Sequence, residues 1–120
     1  MNPSANYKDK IIHIIDEIEY LLNASKDLNY DDFIKNENLK RAFVRSLEII
    51  GEAVKQIPLK IKEKYEKIEW RDIAGMRDKL IHHYFGIDYF LVWDIVKNYI
   101  PKLKESISII IDKEFKNNKN

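Results

Sequence analysis

Residues 37–56, with the sequence ENLKRAFVRSLEIIGEAVKQ, decide the fold of this chain. Apolar side chains recur every three or four positions along the stretch, which is the spacing of one face of an α-helix. The face predicted to be buried comprises Leu39, Phe43, Leu47, Ile50, Val54 and Ile57. Ala42, Gly51 and Ala53 leave a thin side, where a second helix can approach closely. The stretch therefore predicts a long helix that packs against other helices.

Helical periodicity also occurs on both sides of this stretch. The other predicted helices are Asn6–Asn23, Trp70–Phe85 and Tyr89 to about Phe115, with short pieces at Asp32–Lys35 and Leu59–Tyr65. The chain is thus predicted to be all-α, a single domain over residues 1–120. We expect an antiparallel up-and-down bundle of four main helices with one or two short extra helices.

Residues that start, stop or bend helices support these boundaries. Asn29 and Asp31 are plausible caps before the first short piece, and Asp88 is well placed to cap the last helix. Gly86 can adopt the left-handed conformation that ends the helix before it. Pro101 lies inside the last helix and should kink it, because proline removes one backbone hydrogen bond.

Composition excludes several functional classes. The chain of 120 residues has no cysteine, which rules out disulfides, thiolate metal sites and a cysteine nucleophile. Neither a signal-peptide core nor an apolar run near the ~18 residues of a membrane span occurs, so we expect a soluble, cytoplasmic protein with no membrane association. The net charge is +1, but residues 1–34 hold three lysines against seven acids. The positive remainder fits solvated helix faces, or a surface that faces nucleic acid.

The segment 75–86, GMRDKLIHHYFG, concentrates the residues that could carry chemistry. Histidine transfers protons near neutral pH, and His82 is the candidate for this task. Arg77 is a permanent cation whose fork matches phosphate oxygens. Together they can cleave a phosphodiester: the histidine moves a proton, and the arginine stabilises the charge that builds on the phosphoryl group.

The spacing of these residues on a regular helix predicts a divided site. Asp78 and His82 are four apart and share a face, so Asp78 would orient His82 or raise its basicity. Arg77 and Tyr84 share another face, and His82 lies about 140° round from Arg77. A distorted helix end or a second copy of the chain is needed to complete the site. A symmetric homodimer would also supply the second histidine for the second proton transfer.

Each of these residues also has an ordinary structural explanation. A single histidine on a helix is usually a surface or packing residue, which suits His83. Arg77 and Asp78 can form a surface ion pair, and Tyr84 can be an amphipathic residue at a helix edge. A metal centre is disfavoured, because His82 and His83 would point about 100° apart on a helix. No glycine-rich phosphate loop occurs, and no cofactor is predicted.

The same residues resemble a known family. Arg77, His82 and Tyr84 match the Arg-x4-His-x-Tyr signature of HepT-like toxins of the HEPN superfamily. The surrounding segments that resemble this family are LEIIGEAVK (47–55), WRDIAGMRD (70–78), YFGID (84–88) and VW (92–93). The resemblance spans roughly residues 40–103.

This resemblance implies a helical bundle that dimerises and places two motifs in one cleft. It implies metal-independent RNA cleavage, with His82 in proton transfer and Arg77 as phosphate stabiliser. Asp78, because of its spacing from His82, and the neighbouring His83 are expected in supporting roles. His83 also stays open as a residue that shares or replaces the role of His82. The implied partner is a minimal nucleotidyltransferase antitoxin, which can transfer AMP to Tyr84 and so silence the toxin, as in a type VII-like toxin–antitoxin system.

Two other functions remain open at this stage. The first is a non-catalytic HEPN subunit that binds nucleotide or RNA and docks a nucleotidyltransferase. The second is a helical interaction module in which the histidines and Tyr84 are structural. The intact positions Arg77 and His82 favour the ribonuclease over both.

Overall fold

The computed structural model describes residues 7–82 and 86–116, and for His82 it describes the backbone. The predictions for His83 and Tyr84 therefore lie outside the described residues. Along the chain the elements are α1 (Tyr7–Ser25), α2 (Tyr30–Lys35), α3 (Glu37–Lys55), α4 (Leu59–Lys64), α5 (Trp70–Ala74), α6 (Met76–Leu80), β1 (Ile81–His82), β2 (Gly86–Ile87), α7 (Tyr89–Asp94), a π turn (Ile95–Tyr99), α8 (Ile100–Ile111) and a second π turn (Asp112–Lys116). The prediction of an all-α helical bundle is confirmed.

The central helix α3 lies where the periodicity predicts it. It contacts α1 on one side and α5 and α6 on another, while α1 also packs against α8. The predicted face is confirmed at its buried positions Phe43, Leu47, Ile50, Val54 and Ile57, whereas Leu39 is partly buried. Burying one such side chain contributes about 1.5–3 kcal/mol, so this face is a major source of stability.

Side-chain caps fix the starts of three helices. Asn29 Oδ1 accepts a hydrogen bond from the backbone N–H of Asp32 at 2.8 Å, which begins α2. The alternative cap Asp31 is wrong, because Asp31 lies in the first turn of α2. Asn36 does the same for α3 through Leu39 at 3.0 Å. The predicted cap at Asp88 is confirmed, since its Oδ1 accepts from the N–H of Leu91 at 3.0 Å and begins α7.

The predicted helix Trp70–Phe85 is wrong in its second half. The helix is interrupted at Gly75 and ends at Leu80, after which the backbone of Ile81 is extended (φ −104°, ψ 120°). β1 pairs with β2 in antiparallel register, with Ile81 opposite Ile87 and His82 opposite Gly86. A branched side chain at Ile81 favours extended backbone, and the pairing of β1 with β2 then stabilises it.

Gly86 has the left-handed conformation that the sequence predicts, with φ +74°. Its role differs from the prediction, because it belongs to the hairpin and does not end a helix. The hairpin is closed at its base by a 2.8 Å hydrogen bond from the backbone N–H of Asp88 to the carbonyl of Leu80. The chain leaving the hairpin therefore enters α7 directly.

The last helical segment is interrupted where a kink is expected. The π turn Ile95–Tyr99 precedes Pro101, which lies in the first turn of α8. Proline cannot donate the hydrogen bond of a regular helix interior, and the wider π turn accommodates this. No helix within the described ranges has the length and apolar composition to cross a membrane.

Gly51 lies on the predicted thin side of α3, where α5 approaches closely. A Cβ atom added to Gly51 would lie 3.0 Å from the backbone carbonyl oxygen of Ile73 in α5. A backbone atom cannot move aside as the end of a side chain can. The close contact therefore favours glycine at position 51, although glycine weakens a helix interior.

We expect Gly51→Ala to lower the free energy of unfolding by about 1 kcal/mol, measured by urea denaturation. The strain of an overpacked contact, about 1–3 kcal/mol, outweighs the gain in helix propensity of about 1 kcal/mol. The matched control is Gly75→Ala, whose added Cβ would meet its nearest atom at an ordinary 3.5 Å. Equal stability of both variants would contradict the proposed close contact.

Candidate active site

Arg77 lies on the short helix α6, which two buried residues anchor. Met76 and Leu80 are four residues apart and nearly fully buried, so they fix one face of α6 against the core. Arg77, Asp78 and Lys79 consequently lie on the exposed side. The helix thus presents Arg77 to solvent while its own backbone is held firmly.

The guanidinium of Arg77 is held by a residue that the sequence analysis did not single out. Arg77 Nε lies 3.3 Å from Glu48 Oε2 on α3. The side chain of Arg77 is 64% exposed and that of Glu48 is 24% exposed. The pair therefore orients Arg77 through its inner nitrogen and leaves most of the side chain accessible to a ligand.

A sequence signal for Glu48 exists, but it is weak. Glu48 stands three residues before Gly51, on the side of α3 where the thin stripe predicts an approaching helix. A carboxylate at the edge of a helix contact tends to meet a cation from the neighbouring helix. Which cation it meets depends on the path of α5 and α6, and local patterns do not give that path.

His82 lies on β1, so the helical arguments about its neighbours are wrong. Because α6 ends at Leu80, Asp78 and His82 do not share a helix face, and the expected support of His82 by Asp78 loses its basis. For the same reason, the 140° angle between Arg77 and His82 does not apply. The predicted shared face of Arg77 and Tyr84 assumed the same continuous helix, and Tyr84 lies outside the described residues.

The hairpin base now sets the position of the His82 backbone. β1 pairs His82 with Gly86, and the hydrogen bond from Asp88 to Leu80 holds both ends of the segment together. The segment starts directly after α6, so the backbone of His82 lies two residues past the buried Leu80. Arg77 and His82 thus come from a helix and from the strand that follows it.

A cavity of about 230 Å³ lies behind α6, on the side of Met76 and Lys79. Tyr99, from the π turn, also lines this cavity, and burial together with Glu69 and Asp72 raises the pKa of Tyr99 to about 12. Lys79 lies 3.6 Å from Asp72 at the rim. The phenol of Tyr99 therefore stays protonated at neutral pH and does not act as a base.

The described residues offer no obvious metal site. Within residues 7–82 and 86–116, no group of three or more histidine, aspartate or glutamate side chains converges as metal ligands would.

Comparison with known proteins gives the family. The sequence profile described as ribonuclease HepT-like matches residues 11–110. A provisionally named RNase of Caldanaerobacter subterraneus subsp. tengcongensis is 50% identical over 102 residues, covering 85% of this chain and 91% of that protein. A provisionally named RNase of Methanocaldococcus jannaschii is 46% identical over 109 residues, covering 91% and 94%.

A protein of Thermococcus cleftensis with the name probable ribonuclease HepT is 42% identical over 99 residues, covering 82% of this chain and 90% of its own length. No solved structure gives a significant match. The chain belongs to the HepT-like ribonuclease family. The resemblance drawn from Arg77, His82 and Tyr84 is confirmed at the level of the family, and the roles of these residues stay predictions.

We expect Glu48→Gln to lower kcat for RNA cleavage about 10-fold with little change in KM, because Arg77 loses the charge that orients it. The measurement is steady-state cleavage of a fluorescent RNA. Stability should change by less than about 1 kcal/mol, since the ion pair is partly exposed.

The control for this substitution is Glu19→Gln, which breaks a comparable pair between Glu19 and Lys104 at 3.1 Å on another side of the bundle. We expect that variant to retain the parental kcat. Parental kcat in Glu48→Gln as well would show that Glu48 does not position Arg77.

Proposed function

We propose that this chain is a metal-independent endoribonuclease, and that it acts as the toxin of a type VII-like toxin–antitoxin system. The observation that carries the proposal is the family match over residues 11–110, which includes an intact Arg77 and His82. The exposed guanidinium of Arg77, oriented by Glu48, supports a phosphate-binding role. An enzyme of this kind would act on RNA in the cytoplasm.

The proposed reaction uses the 2′-hydroxyl of the RNA as the nucleophile. His82 removes the proton of this hydroxyl, whose oxygen attacks the neighbouring phosphorus. The bond from phosphorus to the 5′-oxygen breaks, and that oxygen takes up a proton as it leaves. The products are a 2′,3′-cyclic phosphate and a 5′-hydroxyl. Arg77 stabilises the charge on the phosphoryl oxygens in the transition state.

A second copy of the chain would supply the second proton transfer. One His82 serves as base, and the leaving oxygen needs an acid on the opposite side of the phosphorus. A symmetric homodimer presents the same surface twice, so two motifs can face one cleft. His83 is an alternative donor within one chain, and a variant at that position separates the two possibilities.

The proposed antitoxin is a minimal nucleotidyltransferase that modifies Tyr84. In this step the phenol oxygen attacks the α-phosphorus of ATP, and pyrophosphate leaves. The product is an AMP ester on Tyr84, with the phenol proton released. The added bulk and negative charge would stand two residues from His82, where they repel an RNA phosphate.

We expect the purified chain to cleave single-stranded RNA in the presence of EDTA, and His82→Ala and Arg77→Ala to reduce the rate by at least about 100-fold. The measurement is gel separation of labelled RNA products, with mass spectrometry of the new ends. Lys60→Ala, an exposed substitution on α4, is the control and should cleave at the parental rate.

Cleavage that persists in both variants would contradict the assigned residues. RNA binding without cleavage in the parental chain would favour the non-catalytic HEPN subunit. The same preparation gives the oligomeric state by light scattering. A mass that stays at the 14.4 kDa of the single chain at micromolar concentration would remove the shared cleft.

We expect Tyr84 to gain one AMP, a mass increase of about 329 Da, on incubation with the nucleotidyltransferase and ATP. The chain should lose RNase activity in proportion to the modified fraction. Intact-mass spectrometry measures the gain. Tyr84→Phe lacks the accepting oxygen and should show no gain. Tyr89→Phe, which removes a tyrosine of α7, is the control and should gain AMP as the parental chain does. An equal gain in Tyr84→Phe would assign the modification to another residue.

A further inference from the structure

An open groove between α1 and α3 lies beside the candidate active site and has no part in the chemistry described above. Its volume is about 430 Å³, and its lining includes Lys10 and His13 from α1 with Arg45, Ile49, Glu52 and Gln56 from α3. Ile49 is partly buried and contributes an apolar surface. The groove is therefore shallow and largely polar, with cations from both helices.

The charges of the groove favour an anionic ligand. Within the described ranges, no ion pair involves Lys10, His13 or Arg45, so these groups remain available. Glu52 lies in the same groove, but Lys55 Nζ pairs with its Oε1 at 3.3 Å. A guanidinium such as that of Arg45 can bind two oxygens of one phosphate.

The groove and Arg77 lie on opposite sides of one stripe of α3, formed by Arg45, Glu48 and Glu52, in which Glu48 is partly buried. Glu48 is three residues after Arg45 and four before Glu52, so these side chains stand on the same side of the helix. Arg77 meets Glu48 from the α6 side of the stripe, and α1 closes the groove on the other side. One turn of α3, about 5.4 Å, separates Glu48 from Arg45 or Glu52 along the helix axis.

We propose that this groove binds backbone phosphates of the RNA on one side of the cleavage position. Arg45 and Lys10 are the main phosphate ligands, and His13 adds a hydrogen bond. A strand whose scissile phosphate contacts Arg77 crosses the stripe at Glu48 and enters the groove within a few nucleotides. The proposal rests on the proposed ribonuclease function and extends it to a second RNA-binding site.

RNA is favoured over an acidic protein segment because the stripe connects the groove to Arg77. Cations on both sides of α3 then contact successive phosphates of one strand. Such contacts position a strand without reading its sequence. The groove would accordingly set the length of RNA that binds tightly, with little effect on base preference.

The test is a salt titration of RNA binding with the full chain carrying His82→Ala, which prevents cleavage. Its affinity for a single-stranded RNA of about 20 nucleotides is compared with that of a derivative with Lys10→Gln and Arg45→Gln, by fluorescence anisotropy. Loss of two phosphate contacts should lower the slope of log K against log salt by about 1.4. Affinity near physiological salt should fall about 10-fold, and by less for an RNA of about 4 nucleotides.

The control derivative carries Lys60→Gln and Lys102→Gln, the same change of charge at exposed positions of α4 and α8. We expect it to keep the parental slope and affinity. Circular dichroism checks that both derivatives retain the parental helix content.

Equal losses in the groove and control derivatives would show general electrostatic attraction and overturn the proposal. Unchanged RNA binding with a lower mass in light scattering would assign the groove to contact between chains, which also overturns it. If the chain with an intact His82 cleaves RNA but the groove derivative binds RNA normally, only the groove proposal fails. If the chain with an intact His82 neither binds nor cleaves RNA, the proposed function itself fails.

Discussion

Close packing between α3 and the α5–α6 segment sets the position of Arg77. The backbone of α5 approaches Gly51 so closely that a single methyl group would contact the carbonyl of Ile73. The helix α6 begins two residues beyond α5 and also packs against α3, through a face that holds the buried Met76 and Leu80. Arg77 lies between these two anchors, and Glu48 meets it from α3. The glycine contact and the ion pair thus belong to the same interface between helices. The glycine contact is close, and the ion pair is charged and accessible.

In the reaction that we propose, the ion pair at this interface would have two effects. Glu48 restrains Arg77, which lowers the entropy that a flexible arginine loses when it binds a phosphate. Its negative charge also opposes binding of an anion near Arg77. Arg45 stands one turn from Glu48 on α3 and offsets this repulsion for a strand that crosses the helix. The path that we propose for RNA therefore crosses one cation, Arg45, and two carboxylates, Glu48 and Glu52, of which Glu52 is paired with Lys55.

The sequence predicts the helices whose pattern repeats over several turns, because burial of one face is a local property of spacing. α1 and α3 follow their apolar stripes, and the caps at Asn29 and Asp88 follow from short-range hydrogen bonding. The segment after Leu80 could not be predicted in this way. Apolar spacing continues through Ile81, whereas a hydrogen bond between Asp88 and Leu80 and a positive φ at Gly86 close a hairpin.

For the candidate site, the sequence predicts the residue types but not their relative geometry. The residue types Arg77 and His82 followed from chemistry and from the family resemblance, and both lie in one short segment. Their relative geometry was wrong, because it assumed one continuous helix. Spacing places Glu48 beside the thin side of α3 but does not identify Arg77 as its partner, since the ion pair joins positions 48 and 77 through tertiary packing. Residues that act through a neighbouring element are the hardest to identify from a single sequence.

The short length of α6 constrains insertions and deletions in the family motif. An added or removed residue between Arg77 and Leu80 would rotate Arg77 by about 100° about the helix, away from Glu48. Substitution at Asp78 or Lys79, by contrast, changes only exposed side chains and leaves this rotation intact. The number of residues between Arg77 and the buried Leu80 is thus fixed by helix geometry, while the identity of the two exposed residues between them is free to vary.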